Sequence, residues 1–209
     1  RLSLVGSEMC IRDRFILLAS LFMASNVCAQ TYAQEELAKQ RAAERVAQMN
    51  DYVSFMASKE KNLNYRRYYK NKALNLFIGK GYEYNRDGYP CKGVIMEVSS
   101  TRRRAVSKPL IRNYFDNLTK LQYTSVKITS SEVAEMKISN LKKTEKDNVY
   151  ECTCQYVQIF EGRNDSFVYK DKVVKRIKCY VTFEYVEDEE DPEMMVLLGD
   201  TQCISTEKL

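Results

Sequence analysis

Val149-Tyr150-Glu151-Cys152-Thr153-Cys154-Gln155-Tyr156-Val157-Gln158-Ile159-Phe160 alternates between two characters. In an extended chain successive side chains point to opposite faces. Tyr150, Cys152, Cys154, Tyr156 and Phe160 therefore share one face, with Glu151, Thr153 and Gln155 on the other. A strand with one apolar and one polar face belongs to a sheet with one buried and one wet side, and such sheets are typically antiparallel. Residues 161–166 read as a hairpin loop. The chain returns as a second strand over residues 169–186, with Val173, Ile177, Cys179, Val181, Phe183 and Tyr185 inward. Pairing the two strands about an Asn164-Asp165 turn brings Cys179 diagonally near Cys152, and a two-residue slip would set them directly opposite. Cys152 and Cys179 are the disulfide expected if the chain forms one.

Downstream, residues 187–193 form a dense acidic loop. It offers oxygen ligands for calcium but lacks the alternating ligands and glycine of a calcium-binding loop, so it reads as a charged hairpin tip. Residues 194–204 supply a last strand. Upstream, Val126 and Ile128 alternate, as do Ala134, Met136 and Ile138. Before them, Pro109 opens a short helix on which Leu110, Ile111, Tyr114, Phe115, Leu118 and Leu121 make a strong apolar face. Residues 94–98 read as a short strand after a turn at Asn85-Arg86-Asp87-Gly88. Arg102-Arg103-Arg104 lies in a polar loop.

Nearer the start, residues 31–60 read as helix, with Val46, Met49, Val53 and Met56 in one narrow stripe. A second helix runs to about Phe77 and ends at Gly79 and Gly81. Residues 65–72 interleave tyrosines with cations. The pattern suits stacking on single-stranded nucleic acid, and equally an amphipathic helix whose Lys and Arg stems cover the rings. The second reading is preferred, and no nucleic-acid partner is expected.

The first residues read differently. Leu4-Val5-Gly6-Ser7-Glu8-Met9-Cys10-Ile11-Arg12-Asp13-Arg14 resembles a translated sequencing adapter, so residues 1–14 are not read as part of the fold. Residues 15–29 have the apolar run and the Val27-Cys28-Ala29 end of a signal peptide, too short for a membrane span. Ser25 and Val27 fit a lipidation motif at Cys28 poorly. The expected protein is exported to the periplasm or beyond without a lipid anchor. The expected division is a helical extension at 30–62 and one α+β domain at 63–209, with N-terminal helices followed by a curved antiparallel sheet packed on them.

Composition excludes a good deal. The chain of 209 residues carries a net charge of +5 and no histidine or tryptophan. Without histidine there is no Ser-His-Asp or Cys-His catalysis and no His-ligated zinc or haem. Cys91, Cys152, Cys154, Cys179 and Cys203 are odd in number and lack zinc-ribbon spacing. No metal, cofactor or catalytic constellation is read from the chain.

Two helices, a short hairpin, a third helix from Pro109 and then long antiparallel strands: over residues 65–205 this order resembles the nuclear-transport-factor-2-like group of cystatin-type α+β folds, with its polyketide-cyclase (SnoaL-like) and ketosteroid-isomerase relatives. The resemblance implies a cone-like sheet around the helices, with a small apolar ligand in the open end or a dimer across the sheet. Tyr84, Tyr150, Tyr156, Tyr185 and Asp200 are candidate wall residues of such a pocket, by face and chemistry. The expected function is a non-enzymatic binding or interaction module, its partner another protein, a second copy or a small apolar ligand. One alternative is a small isomerase or cyclase with an Asp base and a Tyr oxyanion donor. The other is a peripheral binder of anionic lipid through the basic segments 59–72 and 102–104.

Overall fold

The computed structural model describes the backbone of residues 9–86, 88–102, 105–184 and 193–209, and side chains from residue 32 onward apart from Arg86. The protein is α+β. Helix α1 (Met9–Ala57) is followed by α2 (Leu63–Leu74), a small hairpin of β1 (Tyr84–Arg86) and β2 (Tyr89–Cys91), and α3 (Ile111–Thr119). Then come β3 (Ser125–Ser130), two short strands, β4 (Lys137–Ile138) and β5 (Lys142–Lys143), and three long ones, β6 (Val149–Asn164), β7 (Phe167–Glu184) and β8 (Glu193–Lys208). The chain divides into two compact units, Arg1–Leu37 and Ala38–Leu209. The described part of the first is helical. Packing thus divides the chain within the segment read as a helical extension, and residues from Ala38 on belong with the α+β domain.

The open sheet has six strands in the order β3-β6-β7-β8, with β4 and β5 also pairing β6, all antiparallel. Alternation drives it. Along β7, Tyr169, Asp171, Val173, Lys175, Ile177, Cys179, Val181 and Phe183 are buried while their neighbours are partly or fully exposed. The β6–β7 hairpin turns at Asp165-Ser166, with Asn164 opposite Phe167, so β6 runs on through four residues of what the sequence reads as a six-residue loop and β7 begins directly after it. The turn lies one position later than Asn164-Asp165. That shift sets Cys152 directly opposite Cys179.

From Ala38 on, α1 packs on the inner face of the sheet. Ala38, Ala42, Ala43, Val46, Met49, Val53, Met56 and Ala57 are all in the core, so the stripe read from Val46 continues backward through alanines small enough for close approach. Three polar ties give its direction: Lys39 Nζ donates to Asn140 Oδ1 at 3.2 Å, Gln158 Nε2 donates to Asn50 Oδ1 at 3.1 Å, and Lys59 Nζ donates to the Leu121 carbonyl. α2 starts at Asn62, whose side chain accepts from Tyr65 N–H at 2.8 Å, a capping bond of a preferred kind. α3 buries Ile111, Tyr114, Phe115 and Leu118, a helical i, i+3, i+4, i+7 set.

Two segments differ from the strand reading. Residues 94–98 make only isolated bridges, among them Ile95 with Leu110, Met96 with Thr201 and Val98 with Ser107. Residues 133–135 are a short 3-10 turn and only Lys137–Ile138 pair with β6. Both lie at margins, where a few apolar residues alternate by chance without a long partner to pair. Among the described residues no helix is long and apolar enough to cross a membrane.

Candidate functional site

At the hairpin end of the β6–β7 pair the inner face of the sheet does not close on itself. A cavity of about 340 Å³ opens there, bounded by α3, the residues after it, the 98–109 loop and β3, β6 and β7. Its size is at the small end for ligand pockets. The apolar wall comes from Leu118, Leu121, Ile128, Phe160, Val173 and Pro109. Tyr123 completes it, lying over β6 where Gly162 leaves room: a Cβ on that glycine would come within 2.7 Å of the tyrosine ring. Tyr123 also meets Phe160 edge to face, at 5.5 Å between centroids.

Polar groups concentrate on β7. Asp171 and Lys175 are each only 3% exposed, four residues apart on the same face of the strand. At about 3.3 Å per residue their Cα atoms are roughly 13 Å apart, with Val173 between. Asp171 is well satisfied. It accepts from the Tyr169 hydroxyl, which in turn lies 2.7 Å from Ser100 Oγ and 3.1 Å from Thr101 Oγ1. Burial pushes the Asp171 carboxyl above the usual range, opposed by the Tyr169 bond, bonds from Thr101 and Ser100, and the Lys175 charge. Lys175 is different. Its Nζ lies 5.5 Å from the centroid of the Tyr114 ring, a cation–π contact, and among the described residues nothing accepts a hydrogen bond from it. Burial lowers its pKa, opposed by Cys203 and Asp171. Beside Lys175 the pairing of β7 with β8 shifts register, Val174 facing Ser205 and Lys175 facing Cys203. Such bulges bend a strand and re-aim side chains, often next to functional sites.

The 98–109 loop closes the rim. Val98 and Ser107 exchange backbone hydrogen bonds at 2.8 and 2.9 Å, pinching its base. Arg102 folds back so that its guanidinium lies 4.7 Å from the Phe167 ring and 4.3 Å from the Tyr169 ring. Arg103 and Arg104 lie outside the described residues.

Tyr84, Tyr150, Tyr156 and Asp200, singled out from the sequence, lie elsewhere. Tyr84 is half-buried on β1, packed on the core and beside Gly79. Tyr150 packs edge to face on Phe183 at 5.4 Å, at the opposite end of the hairpin. Asp200 accepts from Ile95 N–H at 2.8 Å and ties the 94–98 segment to β8. Tyr156 comes closest, since it faces Lys175 across the β6–β7 ladder, but it is fully buried, its hydroxyl has no partner, and it does not line the cavity. Tyr185 and most of the acidic loop lie outside the described residues. Of those that are described, the structure brings none together at the cavity.

The cavity's own polar residues carried a signal. Asp171 and Lys175 have the same parity as Val173 and Ile177, and Gln158 that of Tyr156 and Phe160. Charged or amide residues on the buried face of an amphipathic strand mark a site that tolerates or uses them. The inward sets read from the sequence passed over them.

Cys152 and Cys179 are both buried free thiols here, in mutual contact: hydrogen bonding with Cys179 lowers the Cys152 pKa and raises that of Cys179. Burial pushes Cys154 up to about 12, which makes it inert. Among the described residues no group of His, Cys, Asp or Glu is placed to hold a metal ion. In the 59–72 segment the rings and cations largely serve each other. Tyr65, Tyr69 and Phe55 stack within 6.5 Å, Lys61 and Lys72 lie over Tyr65 and Tyr68, and Arg66 Nη1 donates to the Thr119 carbonyl at 2.9 Å. That is an amphipathic-helix arrangement.

No protein-family model, curated protein or solved structure matches the chain.

Proposed function

We propose that the protein is an exported, non-enzymatic binding module that holds a small, largely apolar ligand in the cavity between α3, the 98–109 loop and the sheet. The observation that carries the reading is the cavity itself: about 340 Å³ inside an otherwise closed core, apolar on α3 and β6 and polar on β7. A packed interior rarely leaves space on this scale without a use for it. The element order supports the nuclear-transport-factor-2-like resemblance, in which a cone-like sheet would hold such a ligand at its open end. The signal-peptide reading of residues 15–29 supports export. In an oxidising compartment the opposed Cys152 and Cys179 would close a cross-strand disulfide, since facing strand residues have Cα separations of about 4.5–5.5 Å, within the range a disulfide spans.

Native mass spectrometry of protein taken from producing cells tests the reading. A reproducible extra mass, lost on denaturation, is expected. Empty subunits, or subunits seen only with a second copy or another chain, would replace the ligand carrier with an interaction module. Alkylation of the same sample without reductant should leave Cys152 and Cys179 unmodified and joined.

One observation favours a second reading, a small isomerase. Asp171 lies in the cavity wall beside the Tyr169 hydroxyl, so that a substrate displacing their hydrogen bond would meet an Asp base and a Tyr oxyanion donor together. Isomerisation of a small β,γ-unsaturated ketone, abolished by Asp171→Asn, would establish it. No rate above buffer would leave the carrier.

A further inference from the structure

The wall of the cavity distinguishes one class of ligand. Asp171 accepts from the Tyr169 hydroxyl, which the Ser100 and Thr101 hydroxyls hold in turn, so its carboxylate already has a partner. Gln158 donates to Asn50 and Ser107 Oγ to the Val98 carbonyl. The Arg102 guanidinium is spread over two rings. Lys175 is the exception. It is only 3% exposed, it lines the cavity, the Tyr114 ring lies 5.5 Å from its ammonium with Cys203 and Asp171 acting on it by charge alone, and among the described residues no group accepts a hydrogen bond from it. A buried cation with empty donors is costly, and an anion brought to it makes short, charge-assisted hydrogen bonds. A bulge of β8 lies beside Lys175, where Val174 faces Ser205 and Lys175 faces Cys203.

From this geometry we propose that the cavity takes an amphipathic monoanion, a small apolar body bearing one carboxylate, with the carboxylate on Lys175 and the apolar body against Leu118, Leu121, Ile128 and Phe160. One unpaired cation calls for one negative charge. The Asp171 carboxylate, on the same strand face, repels a second, so a dianionic phosphate monoester fits less well than a carboxylate. Lys175 carries a compact charge rather than a bidentate fork, which suits a single anionic head in a narrow space. This inference rests on the cavity being a ligand site.

Calorimetric titration of the full chain with octanoate, octan-1-ol and octyl phosphate separates the two. Octanoate is expected to bind at least about tenfold more tightly than octan-1-ol, the scale of one charge-assisted hydrogen bond, and more tightly than octyl phosphate. In Lys175→Met that preference is expected to vanish while octan-1-ol binding survives, which shows the variant folded and its cavity intact. Lys175→Arg should keep a preference for octanoate over the alcohol. Equal binding of octanoate and octan-1-ol by the unaltered chain, undiminished octanoate binding by Lys175→Met, or tighter binding of octyl phosphate than of octanoate would each overturn the monoanion assignment and leave the cavity reading in place. No binding of any of the three would remove the cavity reading with it.

Discussion

The inward face of β7 changes character at its middle. From Ile177 to Phe183 it presents Ile177, Cys179, Val181 and Phe183, all buried and apolar, against the core formed with α1. From Tyr169 to Lys175 it presents Tyr169, Asp171, Val173 and Lys175, equally buried but mostly polar, against a cavity. The same strand and the same alternation thus serve two ends. One half closes the core and holds the fold. The other carries a buried carboxylate and a buried amine, which burial makes unfavourable in their charged forms and which a simple core would replace by leucine or valine. A face that gives up stability where its neighbour gains it is the physical signature of a site.

That contrast can be broken or sharpened by substitution, starting from the closed half. Ile177→Ala removes a fully buried side chain from packed surroundings and should destabilise the protein by about 2–5 kcal/mol in urea unfolding. An effect below this would mean that the closed half is as loosely packed as the open one. In the open half the sign should reverse. Lys175→Met exchanges a buried ammonium without a hydrogen-bond acceptor among the described residues for an apolar side chain of similar length and should stabilise the ligand-free protein by about 1–4 kcal/mol at neutral pH. The gain has a pH dependence. The folded-state pKa of Lys175 lies below the ordinary lysine value of 10.5, with Asp171, Cys203 and the ring of Tyr114 around it. The unfolded chain therefore binds the proton more tightly, and the unaltered protein gains stability as pH rises from the lowered value toward 10.5. The advantage of Lys175→Met should narrow over that window. A constant advantage would mean that the amine is not burdened by its charge.

Tyr156→Phe lies between the halves. It deletes a buried hydroxyl without a partner and should be stabilising by about 1 kcal/mol, with octanoate binding unchanged because the ring does not line the cavity. Destabilisation would show that the hydroxyl has a partner in solution. The smallest effect belongs to the outer face. Glu151→Ala removes the 2.8 Å pair with Lys178, both half-exposed, and should change stability by no more than about 0.5–1 kcal/mol, less at high salt.

Part of this architecture could be read directly. Period-two alternation over residues 149–160 gave β6 its inner face, because a half-buried antiparallel strand imposes that pattern on its own sequence. The apolar spacing from Ile111 to Leu118 likewise announced α3. The hairpin register was harder. Asn164-Asp165 and Asp165-Ser166 are both plausible turn centres, and only the long pairing down both strands chooses between them, setting Cys152 opposite Cys179 rather than diagonal to it. The role of α1 was also hidden. Alanines at 38, 42 and 43 carry little hydrophobic signal, yet small side chains let a helix sit close on a sheet, and they are buried.

The site illustrates the limit most clearly. Sequence alone determined the α+β class, the two-faced strands, the absence of histidine chemistry and the identity of every side chain the cavity uses. The parity that puts Asp171 and Lys175 on the inner face of β7 was present in the sequence too, but an inward set chosen by apolar character passes over it. The tertiary structure decided that α3 and the 98–109 loop stop short of that face, leaving space above two buried charges, and that Tyr169, held by Ser100 and Thr101, donates to one of them while among the described residues the other has no acceptor. Alternation is a local property, written every second residue. Whether a buried charge meets a partner depends on segments some seventy residues distant in the chain, such as Ser100 against Tyr169, and only folding brings those together.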